Sequence, residues 1–288
     1  MKLAVLLTCF NRKDKTLHAL KSLHEAQARV GSALELDVFL TDDGSTDGTS
    51  EAVKEAFPQV RILQGNGELF WAGGMRNSWK QAMSESFDAY FLLNDDTILE
   101  YNVLQAFLDA DSHCKTEFGQ GGIYIGSTQD SKSGKLTYGG AKLTNRFTFK
   151  YNHLPPNGRY QSCELGNANI LFVSHDVVEK VGTLSEGYKH GVADYDYTLK
   201  AAKKNLPVLV MPTFLGVCDN DHSDIYQKFA KKSFKERLKI MKSPLGLDFS
   251  SNLNLMRRHF PVRVPFVVLS AMLKLCFPNM YINLSKNR

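Results

Sequence analysis

Apolar positions in the first hundred residues fall into short runs divided by polar, turn-forming segments. Leu3 to Thr8 is a continuous apolar run, the pattern of a strand covered on both faces. Asn11-Arg12-Lys13-Asp14 follows, with an acid three residues past a capping side chain, and Leu17, Leu20 and Leu23 then recur at helical spacing. The same reading predicts a strand over Asp37 to Thr41, a helix over Ser50 to Phe57 and a strand over Val60 to Leu63. A glycine-rich loop from Gly65 to Gly74, a helix from about Met75 to Ser86 and a strand over Ala89 to Leu93 come next. Such alternation predicts an α/β domain whose parallel sheet carries helices on both faces. Open α/β sheets bind ligands beyond the carboxyl ends of their strands. The polar loops Thr8–Asn11, Asp42–Asp47 and Asn94–Asp96 all lie at such ends and are expected to converge.

Beyond residue 100 the pattern is less regular. Gly121 to Tyr151 is rich in Gly, Ser, Thr and aromatics and predicts short strands or a hairpin, and Pro155-Pro156-Asn157-Gly158 reads as a turn. Strands are expected at Ile170 to Val173 and Pro207 to Met211. Helices are expected at His175 to Val181, at Tyr195 to Asn205 and, basic and amphipathic, at Phe229 to Met241. This divides the chain into an α/β domain over 1–225 and a helical extension over 226–288.

Composition changes this picture little. The 288 residues are 43% hydrophobic and 23% charged, ordinary for a globular protein. A net charge of +5 is too mild to argue for nucleic acid. Its distribution matters more. Lys228, Lys231, Lys232, Lys235, Arg237, Lys239, Lys242, Arg257 and Arg258 make the C-terminal part basic, suited to anionic lipid, to a charged glycan or to plain solvent. Five widely spaced cysteines without a CxxC pair speak against a disulfide framework or zinc site and fit a reducing compartment. The N-terminal apolar run is short and meets Asn11-Arg12-Lys13-Asp14 at once, so it reads as a buried strand, not a signal peptide. Val264 to Phe277 contains Pro265 and Lys274 and falls short of the ~20 apolar residues of a spanning helix. A helix on the membrane surface and one packed on the domain are the two readings left. A cytoplasmic location, peripheral at the inner face of the membrane in the first case, follows.

Three acidic clusters carry the candidate chemistry. Adjacent carboxylates repel, and a cation or several donors must compensate them. Asp95-Asp96 at a strand end is a natural hard-cation ligand, because Mg2+ and Mn2+ prefer oxygen donors and Mg2+ is usually held by one or two carboxylates plus substrate phosphates. A solvated turn is the plain alternative. Asp42-Asp43-Gly44-Ser45-Thr46-Asp47 holds a carboxylate able to accept from a nucleobase, or is simply a turn capping a helix. Asp194 and Asp196 open a helix, where negative charge is stabilised, and one of them is a candidate general base. GxGxxG after the first strand and GxxxxGK[ST] are both absent, against dinucleotide and P-loop sites.

Together these segments resemble the inverting family 2 glycosyltransferases of GT-A fold, of the bacterial cell-surface polysaccharide type. Leu40-Thr41-Asp42-Asp43-Gly44-Ser45-Thr46-Asp47 is similar to that family's Val-Asp-Asp-Gly-Ser-Thr-Asp signature. Thr8-Cys9-Phe10-Asn11-Arg12 resembles its first-strand segment, Leu93-Asn94-Asp95-Asp96 its DxD motif, and Val192 to Ala201 its Glu-Asp-x-Asp-x-x-Leu-Arg-Ala segment. The resemblance spans about residues 1 to 225. It implies a Rossmann-like, mostly parallel central sheet with flanking helices, followed by the C-terminal helical extension. It also implies roles by position. Asp42 contacts the nucleobase, Thr8 and Asn11 line the nucleotide site, and Asp95 approaches ribose and metal. Asp96 is the main ligand of Mn2+ or Mg2+, joined by His222, Asp194 is the base, and Asp196 supports the geometry. Two positions depart from the family pattern, Asn94 for the first Asp of DxD and Ala193 for Glu.

Glu68 to Asn77 is the other informative stretch. Its glycines, Gly73 and Gly74, permit close backbone approach to a ligand. Arg76 is suited to phosphate or sugar, and Trp71 to stacking on a sugar or to core packing. Asn167 is expected on the acceptor side. The implied partners are a nucleotide-sugar donor of UDP, dTDP or GDP type and a glycan or lipid-linked acceptor. A sugar-nucleotide nucleotidyltransferase and a non-catalytic nucleotide- or carbohydrate-binding module are the competing readings.

Overall fold

The computed structural model of the chain describes residues 1–219 and 229–281. Its first part alternates as the hydrophobic pattern predicts: β1 (Lys2–Cys9), α1 (Lys13–Val30), β2 (Glu35–Asp42), α2 (Thr49–Ala56), β3 (Arg61–Gln64), α3 (Phe70–Ala82) and β4 (Ala89–Leu93). A short β5 (Ile98–Leu99) and α4 (Val103–Phe118) lead into β6 (Ile123–Gln129), β7 (Leu136–Tyr138), β8 (Gly140–Asn145), β9 (Lys150–Leu154), β10 (Gln161–Ser162), β11 (Leu165–Gly166) and β12 (Ile170–Ser174). Then follow α5 (His175–Val181), α6 (Ala193–Lys203), β13 (Val208–Val217) and the C-terminal helices α7 (Phe234–Lys242), α8 (Phe249–His259) and α9 (Val264–Cys276).

The main sheet runs β10-β13-β6-β12-β4-β1-β2-β3. Strands β3, β2, β1 and β4 are parallel, as are β6 and β13, and β12 lies antiparallel between β4 and β6. The architecture is thus that of the GT-A resemblance, with helices on both faces. Side chains of β1 alternate between two apolar clusters. Leu3, Val5 and Leu7 pack with Leu20 and Leu23 of α1, Val53 of α2 and Phe107 of α4. Ala4 and Leu6 pack on the other face with Met75 and Trp79 of α3, Val177 of α5 and Tyr197 of α6. A small sheet, β11-β8-β9, lies apart from the main one.

Helices α4 and α3 depart from expectation in particular. Helix α4 is one that the sequence reading lacks. Its buried face includes Asp111, whose carboxylate accepts from Tyr124 Oη at 3.0 Å and Ser174 Oγ at 2.9 Å and pairs with Lys115 at 2.7 Å. A charged side chain on the inward face interrupts the apolar period that would have revealed the helix. Helix α3 begins at Phe70, not Met75, so Gly73 and Gly74 lie inside it. Helix–strand packing explains Gly74, where a Cβ would stand 2.0 Å from Thr8 Oγ1; on Gly73 a Cβ would stand 3.1 Å from Leu69 Cβ, in the residue just before the helix. Both glycines are buried within α3.

The C-terminal helices dock on the main body through α8. Leu255 and Met256 of α8 and Phe260 share a cluster with Ala193 and Leu199 of α6, Leu165 of β11 and Ala72 of α3. Asp196 of α6 is fully buried beneath them. It accepts from Tyr188 Oη at 3.0 Å and from His259 Nε2 at 2.7 Å, and pairs with Arg258 at 3.2 Å. Burial alone would raise this carboxyl, yet the bonds from His259, Ser185 and Tyr188 outweigh it and hold the group at about 2. Asp196 therefore anchors α8 to α6. Its side chain is fully buried, away from solvent.

Candidate active site

The loops after β1, β2 and β4 meet beyond the strand ends, as the parallel arrangement requires. Asn11 has a left-handed backbone, φ 50°. Its N–H donates to Ser45 Oγ at 2.9 Å and its Oδ1 accepts from Thr46 N–H at 2.7 Å, so Asn11 clasps the first loop to the second. In that second loop the paired acids divide. Asp42 is buried and accepts from Ser45 N–H at 2.8 Å and from Ser50 Oγ. Asp43 turns the other way and accepts from Gly67 N–H at 2.9 Å and Phe70 N–H at 2.8 Å, fixing the loop that leads into α3. Thr8, also buried, lies under Gly74.

At the end of β4 the two acids share one guanidinium. Arg12 Nη1 lies 2.7 Å from Asp96 Oδ2 and 3.3 Å from Asp95 Oδ1. Burial pushes the Asp95 carboxyl up to about 7. Arg12 pulls it down, and the neighbouring Asp96 pushes it further up. Cys218, just past β13, supports Asp96 with a thiol donor at 3.7 Å, and burial lifts that thiol to about 12, which keeps its proton in place. Asn94 accepts from Trp71 Nε1 at 2.7 Å. The indole also packs against the apolar clusters on both sides of α3, so Trp71 joins core to site. A cavity of about 340 Å³ opens beside Asp96, lined by Lys15 and His18 of α1 and by Val217, Cys218 and Asp219.

The second half of the site is the start of α6. Val192, which precedes the helix, has φ 58°, a conformation that costs a β-branched residue on the order of 1–3 kcal/mol. Asp194 follows in the first turn. Its Oδ2 accepts from Asn167 Nδ2 at 3.4 Å and Ala168 N–H at 3.3 Å, and its Oδ1 from Tyr195 N–H at 2.8 Å. Burial raises the Asp194 carboxyl to about 6 against these bonds. The same turn reaches Asn94, next to the acidic pair, and Cys218, which donates to Asp96. Asn169 O accepts from Asn94 N–H at 3.2 Å, and Asn169 Nδ2 donates to Cys218 Sγ at 3.5 Å. Residues 167–169 thus hold Asp194 at one end and the Asn94–Asp96 segment at the other.

Arg76 stands elsewhere. Its guanidinium donates to the carbonyls of Ser185 and Tyr188, both at 3.0 Å, and pairs with Glu186 at 3.3 Å. It braces the segment before α6. Arg12 is the guanidinium that the sequence reading left without a role, although it follows Asn11 in the same motif. His222 lies outside the described residues.

Asp95 and Asp96 fit a hard divalent cation: both are oxygen donors at one strand end, and a single guanidinium contacts the pair. Among the described residues no three His, Cys, Asp or Glu side chains gather as a metal cage.

Comparison with known proteins bears on these features. A family model described as "Glycosyl transferase family 2" matches residues 4–163. Among solved structures, S. aureus TarS 1–349 superimposes with a TM-score of 0.53 at 14% identity, over 84% of this chain and 66% of that one. TarS 1–349 in complex with UDP-GlcNAc gives 0.54 at 14% identity, over 84% of this chain and 65% of that one. For S. aureus TarS the TM-score is 0.53 at 14% identity, with 84% of this chain covering 40% of that chain. The chain therefore spans about two thirds or less of each of these structures, and at this identity the likeness is one of fold. No curated protein matches the chain.

Proposed function

The chain belongs to glycosyl transferase family 2, and on that premise we propose that it moves a sugar from a nucleoside-diphosphate sugar to an acceptor hydroxyl with inversion at the anomeric carbon. The observation that carries this reading is the link between Asp194 and the Asp95–Asp96 pair through residues 167–169. It supports a single site with a base at one end and a cation-holding acidic pair at the other.

In this reading Asp96, with Asp95, holds a divalent cation, Mn2+ or Mg2+, against the donor diphosphate. That cation, when bound, offsets charge on the departing nucleoside diphosphate. His222 is proposed as a further ligand. Asp42, Asn11 and Thr8 form the nucleotide end. Trp71, fixed through Asn94, walls the sugar. Asp194 takes the proton of the acceptor hydroxyl as its oxygen bonds to the anomeric carbon and the bond to the diphosphate breaks. A carboxyl raised to about 6 suits that task, since it is ionised at neutral pH and more basic than an exposed aspartate. Attack from the side opposite the leaving group inverts the centre.

The UDP-GlcNAc bound by TarS makes a UDP-sugar the first donor to try, with dTDP- and GDP-sugars beside it. A glycan or lipid-linked acceptor, a place in cell-surface polysaccharide synthesis and a cytoplasmic setting complete the proposal. The test is donor hydrolysis and transfer across UDP-, dTDP- and GDP-sugars with Mn2+ or Mg2+. One nucleotide class is expected to give metal-dependent turnover, and Asp96→Ala to weaken metal-dependent nucleotide binding. Absence of turnover with every donor, together with unchanged nucleotide binding in Asp96→Ala, would sink the enzyme reading in favour of a binding module.

A further inference from the structure

Helix α9 is apolar on two opposite faces. Val264 and Val267 pack against the cluster that includes α6 and α8, and Ala271 and Leu275 pack against α7. The other face carries Phe266, Leu269 and Met272, which are 59%, 57% and 58% exposed. Val262 before the helix and Phe277 after it extend the exposed apolar surface. The surface does not end with the helix. Phe147, in the turn between β8 and β9, is exposed, and its ring lies 6.5 Å from that of Phe266. Arg263 Nη1 donates to Phe147 O at 2.7 Å, which ties the turn to the start of α9. Two parts of the chain more than a hundred residues apart thus build one apolar surface, and scattered single side chains do not account for it.

What would cover this surface is indicated by its surroundings. Between residues 229 and 281 ten Lys and Arg side chains stand against two acids, Glu236 and Asp248. Helix α7 carries Lys235, Arg237, Lys239 and Lys242 and packs directly on α9 through Met241 and Ile240. An exposed apolar helix face bordered by a basic helix matches the interface of an anionic bilayer, with acyl chains under the apolar face and headgroup phosphates at the basic rim. Helix α9 has thirteen residues, and no helix among the described residues is long and apolar enough to cross a membrane, so the contact is one of lying on the surface.

We propose that α9, together with the Phe147 turn, docks the protein on an anionic lipid surface. The docked helix shares its inner cluster with the start of α6. The start of α6, which carries Asp194, would then lie one helix layer from the lipid boundary, within reach of a lipid-borne acceptor. The docking itself does not depend on the proposed glycosyl transfer, because vesicle binding is measured without any donor.

The test is sedimentation of the full chain with phosphatidylcholine vesicles, with and without phosphatidylglycerol, at low and high salt. Wild type is expected to bind the anionic vesicles about tenfold or more tighter than the neutral ones, and to lose that margin as salt rises. Phe266→Ser, Leu269→Ser and Met272→Ser combined are expected to weaken binding by about a hundredfold, the order set by three large apolar side chains. These positions are solvent-facing, so the circular dichroism spectrum and Tm are expected to stay as in wild type. Lys235→Glu with Lys239→Glu, both exposed, is expected to remove the preference for anionic vesicles and provides a second, charge-based reading. Failure to sediment with anionic vesicles, or unchanged binding by the triple variant, overturns the proposal. So does light scattering that shows a wild-type dimer dissociated by the triple variant, which would make the face a contact between copies.

Discussion

Replacing Asp194 with asparagine tests the site through stability and rate at once. Burial lifts the Asp194 carboxyl from 3.8 to about 6. The folded chain therefore holds this proton more tightly than the unfolded chain. Between pH about 4 and about 6 the native state carries the excess proton, so its stability falls as pH rises through that window and levels off above it. The shift corresponds to about 2–3 kcal/mol at 1.36 kcal/mol per unit, the lower end allowing for partial exposure of the side chain. The asparagine amide cannot ionise and escapes this penalty. Asp194→Asn is thus expected to gain about 2–3 kcal/mol relative to wild type on going from pH 4 to pH 7, while its transfer rate falls by about a hundredfold or more. Urea unfolding at the two pH values gives the first quantity, and initial rates with the identified donor give the second. In wild type the rate should rise with pH through about 6, and in the variant that limb should vanish. A variant whose stability difference is the same at pH 4 and pH 7, or whose rate stays within a few-fold of wild type, would refute the assignment of Asp194 as a buried base.

Three further outcomes are expected. His259→Ala leaves the buried Asp196 short of a partner and should destabilise the fold by about 3–5 kcal/mol in urea unfolding at pH 7; because the carboxyl is held at about 2, that deficit should shrink as pH falls below about 4. Arg12→Gln removes the guanidinium from Asp95 and Asp96 and should tighten Mn2+ binding to the nucleotide-free protein by about five- to tenfold, read by calorimetry; unchanged affinity would mean that Arg12 does not compete with the cation. Gly74→Ala places a Cβ 2.0 Å from Thr8 Oγ1 and should cost about 1–3 kcal/mol of stability, lowering the Tm; an unshifted Tm would show that the helix–strand approach is not tight.

Much of this was legible in the sequence because it rests on local signals. Leu3 to Thr8 and Ala89 to Leu93 are continuous apolar runs, and buried parallel strands need little else to be recognised. The Asp42–Asp47 and Asn94–Asp96 loops were legible for the same reason: polar residues at strand ends converge once the strands are parallel. Pairings between distant residues were not. Asp111 hides α4, since only the fold supplies Tyr124, Ser174 and Lys115 to satisfy a carboxylate on a helix's inner face. Gly74 looks like part of a ligand loop until Thr8 is seen beneath it. Arg76 and Arg12 exchange expected importance because the carbonyls of Ser185 and Tyr188, more than a hundred residues from Arg76, capture its guanidinium. The Ser233–Glu236 capping box starts α7 later than the apolar pattern alone suggests.

The turn at residues 167–169 has a kinetic consequence. One of its ends accepts from Asn94 and the other donates to Asp194, so one short turn ties the loop after β4 to the start of α6. Under the proposed function, a displacement at Asn94 on donor binding would be passed to Asp194 within three residues. Such wiring favours sequential binding, donor before acceptor, with the acceptor's affinity rising once the donor is in place. Product inhibition patterns would then show the nucleoside diphosphate competing with the donor alone.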